Sequence, residues 1–400
     1  MRFRPVQALS GAFVLAAASV ALAAPQADAI TGCPSGTTKH CYVEGEMGQA
    51  WTGKFVPINE IGGDLYIDCL YVPTNSDFVN YESWLDTDLN NAPIDDYWVE
   101  GGAKLGIGVS GAWEGYQWFW ADSRPGGSYH EHYLGSASTY SFENVTFTWL
   151  GSGDWDVKFA GTVVGESIGA GDYGGGAQTG VETTTGSSAF YGWTRNWQYA
   201  DSSWNWHPVS AAGYGGMVLG PLDAQSQAVN ASPGDDIYNS GYGGNSCLAE
   251  DGPVKNATSS SPASAATAAT ATPKTAAANG APQAFTGASG LSALAAQAAK
   301  ANGVTDPTDV QYVQTTRAKA AALTGASAQG GSNVDVVELH GNFDGAYASV
   351  PKGGKTPTGD SLTIVVDAAT GAVTDVGLTH SATDPVNIAK LGTARALPTS

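Results

Sequence analysis

Short runs of alternating or continuous apolar residues recur along the first part of the chain. They are DLYIDCLYV, YWVEGGAKLGIGV, YQWFWAD, YSFENVTFTWL, WDVKFAGTVVG, SAFYGWTRNW and GGMVLGPL. Clusters of Gly, Asn, Asp, Ser and Pro separate them, and all 12 tryptophans lie between Trp51 and Trp206. Many short strands divided by turn residues are typical of all-β domains. We predict an antiparallel β-sandwich of the jelly-roll or concanavalin-like type over residues 30–252.

The alternation stops in the next segment. Residues 253–284 contain no aromatic side chain, and Val254 is their single large aliphatic residue. A stretch of this composition cannot bury enough apolar surface to offset the entropy lost on ordering. We therefore predict a flexible, disordered linker that separates two domains.

Residues 285–400 show a helical period followed by strand patterns. LSALAAQAAKANG predicts a helix that ends at Gly303, and VDVVELHGNF predicts a strand. LTIVVDAATGAVTDVGL predicts a hairpin around Ala369-Thr370-Gly371. In this hairpin the expected core residues are Val365, Val373 and Val376, and the expected solvated residues are Asp367 and Asp375. Because catalytic residue types are not concentrated here, we predict a small α+β module with an accessory or binding role.

The start of the chain has the pattern of an export signal. Arg2 and Arg4 precede an apolar run over residues 8–24, and small-x-small triplets follow, the last of them ending at Ala29. These features predict a secretory signal peptide over residues 1–29. No later run is long and apolar enough to predict a membrane-spanning helix, so we expect a secreted, extracellular protein.

The charge of the chain limits its partners. The formal net charge is −20 at pH 7. A chain this acidic repels nucleic acid and anionic lipid surfaces. We therefore expect neither nucleic acid nor a membrane as a partner.

Four cysteines, an even number, are expected to form two disulfide bonds after export. They are Cys33, Cys41, Cys69 and Cys247. Three connectivities are possible, and we favour Cys33–Cys41 with Cys69–Cys247, because the second bond would tie the ends of the first domain together. No Cys-x-x-Cys pair supports a zinc site.

Patterns for metal ligands and for the common nucleophiles are weak. His130 and His132 in SYHEHYL lie on one face of a predicted strand and could begin a zinc or copper site. No spacing identifies a third ligand, so we interpret them as exposed strand residues. No Gly-x-Ser-x-Gly turn occurs, and we expect no metal and no organic cofactor.

Aromatic residues of YQWFWAD suggest either a core or a groove. Trp118, Trp120 and Asp122 share one face of this predicted strand. Large aromatic side chains fill a sandwich core well, but aromatic residues on both faces of one strand cannot all lie inside. We therefore keep Trp118, Trp120 and Asp122 as candidate substrate-binding residues.

Two glutamates in strand patterns are candidates for acid–base chemistry. Glu100 lies in YWVEGG, and Glu182 lies in the β-forming run VETTT. Each could be a solvated strand residue. Alternatively the two face one cleft, where repulsion keeps one carboxyl protonated as an acid while the other acts as a base towards water.

The stretches GGDLYIDCLYVPTNSDFVNYESW, DYWVEGGAKLG and YQWFWADSRPGGSYHEHYL resemble the secreted glutamic peptidases of the neprosin-like and eqolisin-like families. The neprosin-like motif Ile/Val-Glu-Ala-Gly-Trp corresponds here to Val99-Glu100-Gly101-Gly102, without its tryptophan, and Phe119–Asp122 corresponds to a following aromatic strand. Eqolisin-like members have glutamine at the first position and a later catalytic glutamate, to which Glu182 in AQTGVETTT would correspond. The resemblance covers about residues 60–190.

This resemblance implies a β-sandwich whose cleft crosses one sheet and a catalytic pair, Glu100 and Glu182. One carboxylate would activate water for attack on a peptide bond of an extracellular protein or peptide, and the other would act as the acid. We expect activity at acidic pH. The alternative is a non-catalytic, lectin-like sandwich that binds glycans or cell wall through a tryptophan-lined groove.

Overall fold

The computed structural model describes residues 40–48, 55–87, 97–124, 126–138, 140–169, 171, 174–209, 216–219, 224–230, 235–241, 281–324 and 331–398. The predicted signal peptide, residues 253–280 of the predicted linker, Cys33 and Cys247 lie outside these residues. Neither Cys41 nor Cys69 is a free thiol, and the predicted pairing stays a prediction.

Strands dominate the described part of the chain. Those of residues 41–241 are β1 (Cys41–Gly48), β2 (Glu60–Tyr71), β3 (Phe78–Asp86), β4 (Trp98–Ile107), β5 (Trp113–Arg124), β6 (Ser128–Ser136), β7 (Ser141–Gly151), β8 (Asp154–Phe159), β9 (Thr162–Ser167), β10 (Gly176–Thr183), β11 (Ala189–Ala200), β12 (Trp206–Pro208), β13 (Gly216–Leu219), β14 (Ala224–Asn230) and β15 (Asp235–Gly241). The C-terminal elements are α1 (Gly287–Ala301), β16 (Thr308–Thr316), α2 (Arg317–Thr324), β17 (Asn333–Asp344), β18 (Thr358–Asp367), β19 (Val373–Thr379), a 3-10 helix (Ile388–Lys390) and β20 (Arg395–Ala396).

Two large antiparallel sheets form the sandwich that the sequence predicts. The first has the strand order β13-β1-β10-β3-β4-β5-β6-β19-β18-β17-β16-β20, and the second has the order β14-β15-β11-β2-β7-β8-β9, with β12 paired to β11. The predicted fold class is therefore confirmed.

The core between the sheets follows from the period-2 alternation of the strands. In β2 the inward residues Ile61, Leu65 and Ile67 are buried, whereas their neighbours are partly exposed. Trp120 of the first sheet and Trp155 of the second are fully buried in the same cluster. Burying one large apolar side chain stabilises a fold by about 1.5–3 kcal/mol, so this layer holds the two sheets together.

The C-terminal elements continue the first sheet. β19 pairs with β6, placing Asp375 opposite His132 and Leu378 opposite Tyr129. A second apolar cluster joins Phe119 of the sandwich to helix α1 and to Val376 of β19. The C-terminal elements thus pack on the outer face of the first sheet, while the predicted domain boundaries stay a prediction.

The predicted elements of residues 285–400 are present. Helix α1 ends at Ala301, and Gly303 just after it has a φ of +78°. The hairpin of β18 and β19 turns at Gly371, which has a φ of +74°. The predicted core positions are all buried: Val365, Val373 and Val376. Asp375 was predicted to be solvated, and this is wrong, because it is 3% exposed and bonds His132. Among the described helices, none is long and apolar enough to span a membrane.

Candidate active site

The outer face of the first sheet is rich in carboxyl groups. Inward residues such as Val43, Val79 and Val181 join the sandwich core, so the residues that alternate with them point outward. We call this outward surface the acidic face. Its residues are Tyr42, Glu44 and Glu46 of β1, Gln178 and Glu182 of β10, Asn80, Glu82 and Trp84 of β3, Glu100 and Lys104 of β4, and Tyr129 and Glu131 of β6.

Three glutamates cross the acidic face on adjacent strands. Glu182 lies opposite Asn80, and Glu82, two residues further along β3, is therefore its diagonal neighbour. Glu82 lies opposite Gly102, so Glu100 is its diagonal neighbour on the other side. Long side chains at diagonal positions can reach one another. The register therefore places Glu82 between the two glutamates that the sequence singled out.

Sequence reasoning missed Glu82. It lies in NYES, where a single acidic residue is typical of a solvated strand position. The available signal was its period-2 relation to Asn80 and Trp84 in a strand whose other face is apolar. In the structure Glu82, Glu100 and Glu182 are all completely buried.

Glu182 accepts hydrogen bonds from several directions. His40 Nδ1 contacts Oε1, Asn80 Nδ2 donates to Oε2 at 3.3 Å, and Ser349 Oγ donates to Oε2 at 2.7 Å. The Val350 N–H lies 3.1 Å from Oε1 and 3.2 Å from Oε2. Donors that converge on a carboxyl group stabilise its negative charge. This environment suits an ionised carboxylate.

Glu82 has the opposite protonation preference. Burial raises its pKa well above the usual range, and the charges of Glu100 and Glu182 raise it further, while hydrogen bonds from Ser349 and Asn80 act in the other direction. Ser349 Oγ lies 3.0 Å from Glu82 Oε1 and 2.7 Å from Glu182 Oε2. A hydroxyl has one proton, so it can donate fully to only one of the two carboxyl groups. The raised pKa of Glu82 favours its protonated form.

Glu100 is a second carboxyl group with a strongly raised pKa near this pair. Burial is the largest cause of its strongly raised pKa, followed by the charges of Glu182 and Glu131. Tyr129 Oη donates to Glu100 Oε1 at 3.4 Å, and Tyr129 Oη in turn accepts the Ser349 N–H at 3.1 Å. The other oxygen, Oε2, has no hydrogen-bond partner among the described residues. Glu100 is thus linked to Glu182 through Tyr129 and Ser349.

A buried cation lies beside the three glutamates. Lys104 Nζ donates to Glu131 Oε1 at 2.6 Å, and it lies 5.0 Å from the centre of the Phe78 ring. Burial lowers the pKa of Lys104, but the charge of Glu131 and its hydrogen bond act in the other direction, and the net shift is upward. The ammonium group therefore stays charged and offsets part of the acidic charge of the face.

The predicted substrate-binding residues lie on the other side of the sheet. Trp120 is buried in the sandwich core and Trp118 contacts the Phe159 ring, so both indoles point between the sheets. Asp122 is completely buried and pairs with Arg124 at 2.6 Å and with His130 at 3.2 Å. These three residues thus lie apart from the acidic face, and their role in substrate binding stays a prediction.

The histidines of SYHEHYL were predicted to be exposed, and this is wrong. His130 and His132 are each 1% exposed. Strand β19 covers this edge of the sheet, and His132 Nδ1 bonds Asp375 Oδ1 at 2.9 Å. Within the described ranges, no cluster of three or more His, Cys, Asp or Glu side chains is arranged to hold a metal ion.

Comparison with known proteins finds similarity to solved structures but none at the level of sequence. No protein-family model and no curated sequence matches the chain. A scytalido-glutamic peptidase with a transition-state analogue inhibitor is 6% identical at a TM-score of 0.36, covering 51% of this chain and 98% of the peptidase. A native glycosidic hydrolase is 11% identical at a TM-score of 0.22, covering 53% of this chain and 80% of the other. A Bacillus licheniformis β-glucanase is 11% identical at a TM-score of 0.18, covering 51% and 65%. The similar structures thus include a peptidase and enzymes that act on glycans.

Proposed function

We propose that this protein is a secreted, acid-acting glutamic-type endopeptidase. The observation that carries the proposal is the hydroxyl of Ser349, held between the carboxyl groups of Glu82 and Glu182. A water molecule at that position would contact one ionised and one protonated carboxyl group. This is the arrangement that general acid–base hydrolysis requires.

The roles follow from the environments of the groups. Glu182 acts as the general base that removes a proton from the attacking water, because its surroundings favour the ionised form. Glu82 supplies the proton to the leaving amine. Glu100, whose own pKa is strongly raised by burial, lies beside this pair and is linked to it through Tyr129 and Ser349. The pair expected from the sequence, Glu100 and Glu182, is thereby extended by the residue between them.

A neutral donor, the amide of Asn80, can stabilise the oxyanion of the tetrahedral intermediate. Asn80 Nδ2 lies 3.3 Å from Glu182 Oε2 and 3.1 Å from Ser349 Oγ. This amide brings a donor to the position that the reacting carbonyl would occupy next to the bridging hydroxyl.

The test is digestion of a denatured protein substrate by the mature chain between about pH 3 and 6, the range in which a carboxyl acid–base pair operates. Glu182→Gln keeps size and hydrogen bonding but cannot take a proton, so we expect kcat to fall by about 10²-fold or more. Glu166→Gln on β9 of the other sheet is the matched control and should leave the rate unchanged. Absence of cleavage by the unmutated chain over this range would reject the peptidase proposal and make glycan binding the next hypothesis to test.

A further inference from the structure

The loop between β17 and β18 lies across the acidic face. We name residues 345–354 the covering segment. We propose that this segment occupies the peptide-binding site of its own chain and acts as an intramolecular inhibitor. The inference rests on the proposed function, because it assigns the acidic face as a surface that binds an extended polypeptide.

Side chains of the acidic face, together with His40, which contacts Glu182, bind the main chain of the covering segment. Ala346 O accepts from His40 Nε2 at 3.1 Å, Tyr347 O from Lys104 Nζ at 3.4 Å, and the N–H groups of Ser349 and Val350 donate to Tyr129 and Glu182. Gln178 binds Lys352 twice, its amide N donating to the carbonyl and its amide O accepting the N–H, both at 3.1 Å. Main-chain groups are common to all peptides, so this face can bind a polypeptide largely independently of sequence.

The covering segment blocks chemistry as well as binding. Ser349 Oγ fills the position between Glu82 and Glu182 that the attacking water needs. Both carboxyl groups are 0% exposed in this arrangement. A substrate cannot reach them until the segment leaves.

The C-terminal elements hold the covering segment in place. Its ends continue into β17 and β18, and the Gly345 N–H donates to Pro357 O at 2.8 Å, which closes the base of the loop. β18 pairs with β19, and β19 pairs with β6 of the sandwich. The sheet that carries the candidate catalytic groups therefore also positions the loop that covers them.

One ion pair ties the side chains of the covering segment to the face. Lys352 Nζ lies 3.2 Å from Glu46 Oε1. Glu44 lies two residues before Glu46 on β1, and Gln178 of β10 lies opposite Glu46. Burial raises the pKa of Glu46, and Lys352 lowers it. Since the net shift is upward, Glu46 loses its charge at a higher pH than an ordinary glutamate, and the attraction to Lys352 weakens as the pH falls. Acidification thus favours release of the segment in the range where the peptidase is expected to act.

The experiment compares the full mature chain with its Lys352→Glu variant near pH 6, at the upper end of the range in which the peptidase is expected to act. The substitution removes the ion pair with Glu46 and places another acidic side chain against the acidic face, so we expect an initial cleavage rate about tenfold higher than for the unmutated chain, since the pair is partly exposed. Amide hydrogen exchange of residues 346–352 should accelerate in the same variant. Lys319→Glu makes the same charge change at an exposed position of α2 and should alter neither measurement.

The two readouts separate the inference from the proposed function. Equal cleavage and equal exchange in both chains overturn the inhibitory role while leaving the peptidase in place. Faster exchange with no cleavage by any chain, even after incubation at about pH 3 to 4, rejects the peptidase and with it the inhibitory role. If Lys352→Glu does not fold, Lys352→Ala should give the same direction with a smaller increase, and unchanged rate and exchange in that variant overturn the inference.

Discussion

Neighbouring carboxyl groups of the acidic face differ in the hydrogen-bond donors that reach them. Glu182 receives donors from a histidine, an amide side chain, a hydroxyl and a main-chain N–H. Glu82 and Glu100 receive fewer donors. Burial raises the pKa of both groups well above the usual range, and the nearby charge of Glu182 raises them further. The contrast in surroundings, rather than residue type, sets an acid beside a base.

At the residue scale, Asn80→Ala should lower kcat with little change in KM. The amide of Asn80 contacts both Glu182 and Ser349. Loss of one oxyanion donor costs about 10²–10³ in kcat in enzymes that use such donors. Steady-state kinetics at acidic pH would measure the effect. Asn144→Ala on β7, whose amide bonds Asp64 instead, is the control, and an equal loss in both variants would contradict a direct role for Asn80.

At the scale of the strands, glycines let the backbones of the acidic face approach closely. Gly102 pairs with Glu82 across β3 and β4. A Cβ at this position would lie 2.2 Å from Tyr81 O and 2.5 Å from the Glu82 Cα. These are backbone atoms that cannot rotate away. Gly102 therefore keeps the strand that carries Glu82 in register with the strand that carries Glu100.

We expect Gly102→Ala to destabilise the protein by about 1–3 kcal/mol or more, as overpacking of a tight contact does. Urea unfolding of the mature chain would measure the loss. Gly331→Ala is a suitable control, because a Cβ added at this position would have no other atom within 4 Å and the φ of Gly331 is not in the left-handed region. Equal stability of the two variants would show that the strands can separate without cost.

The periodicity of apolar residues predicted the helices and strands but not which strands pair with each other. The apolar alternation predicted the sandwich, and the small-residue helix and the valine hairpin are present as α1 and β18–β19. The pairing of β19 with β6 joins residues about 245 positions apart, and no local pattern specifies such a partner. For the same reason His132 and Asp375 were each expected in solvent, although together they form one buried pair.

For a related reason, the sequence predicted two of the four residues of the candidate site. Glu100 and Glu182 stood out through their strand contexts, and they do lie in one cluster. Glu82 and Ser349 join that cluster through strand register and through a loop from the C-terminal elements. Both depend on tertiary contacts that a period-2 pattern does not contain.

At the scale of the whole molecule, the buried carboxyl groups should make the fold more stable in mild acid than at alkaline pH. Burial is the main cause of the raised pKa values of Glu44, Glu82, Glu100 and Glu114, and the value for Glu114 is about 8. Between the ordinary glutamate pKa and the raised one, the folded state binds protons that the unfolded state has released. Stability therefore falls as the pH rises through this window.

We expect a higher midpoint of thermal unfolding at about pH 5 than at about pH 8, the lower and upper parts of that window. Glu114→Gln should reduce the difference, because the neutral amide has no proton to lose and keeps the contacts with Ser110 and Tyr133 available. Glu60→Gln on β2, a partly exposed position, should leave the difference unchanged. A protein whose unfolding midpoint stays constant or rises from mild acid to alkaline pH would contradict the protonated state of these groups, and with it the assignment of Glu82 as the acid partner of Glu182.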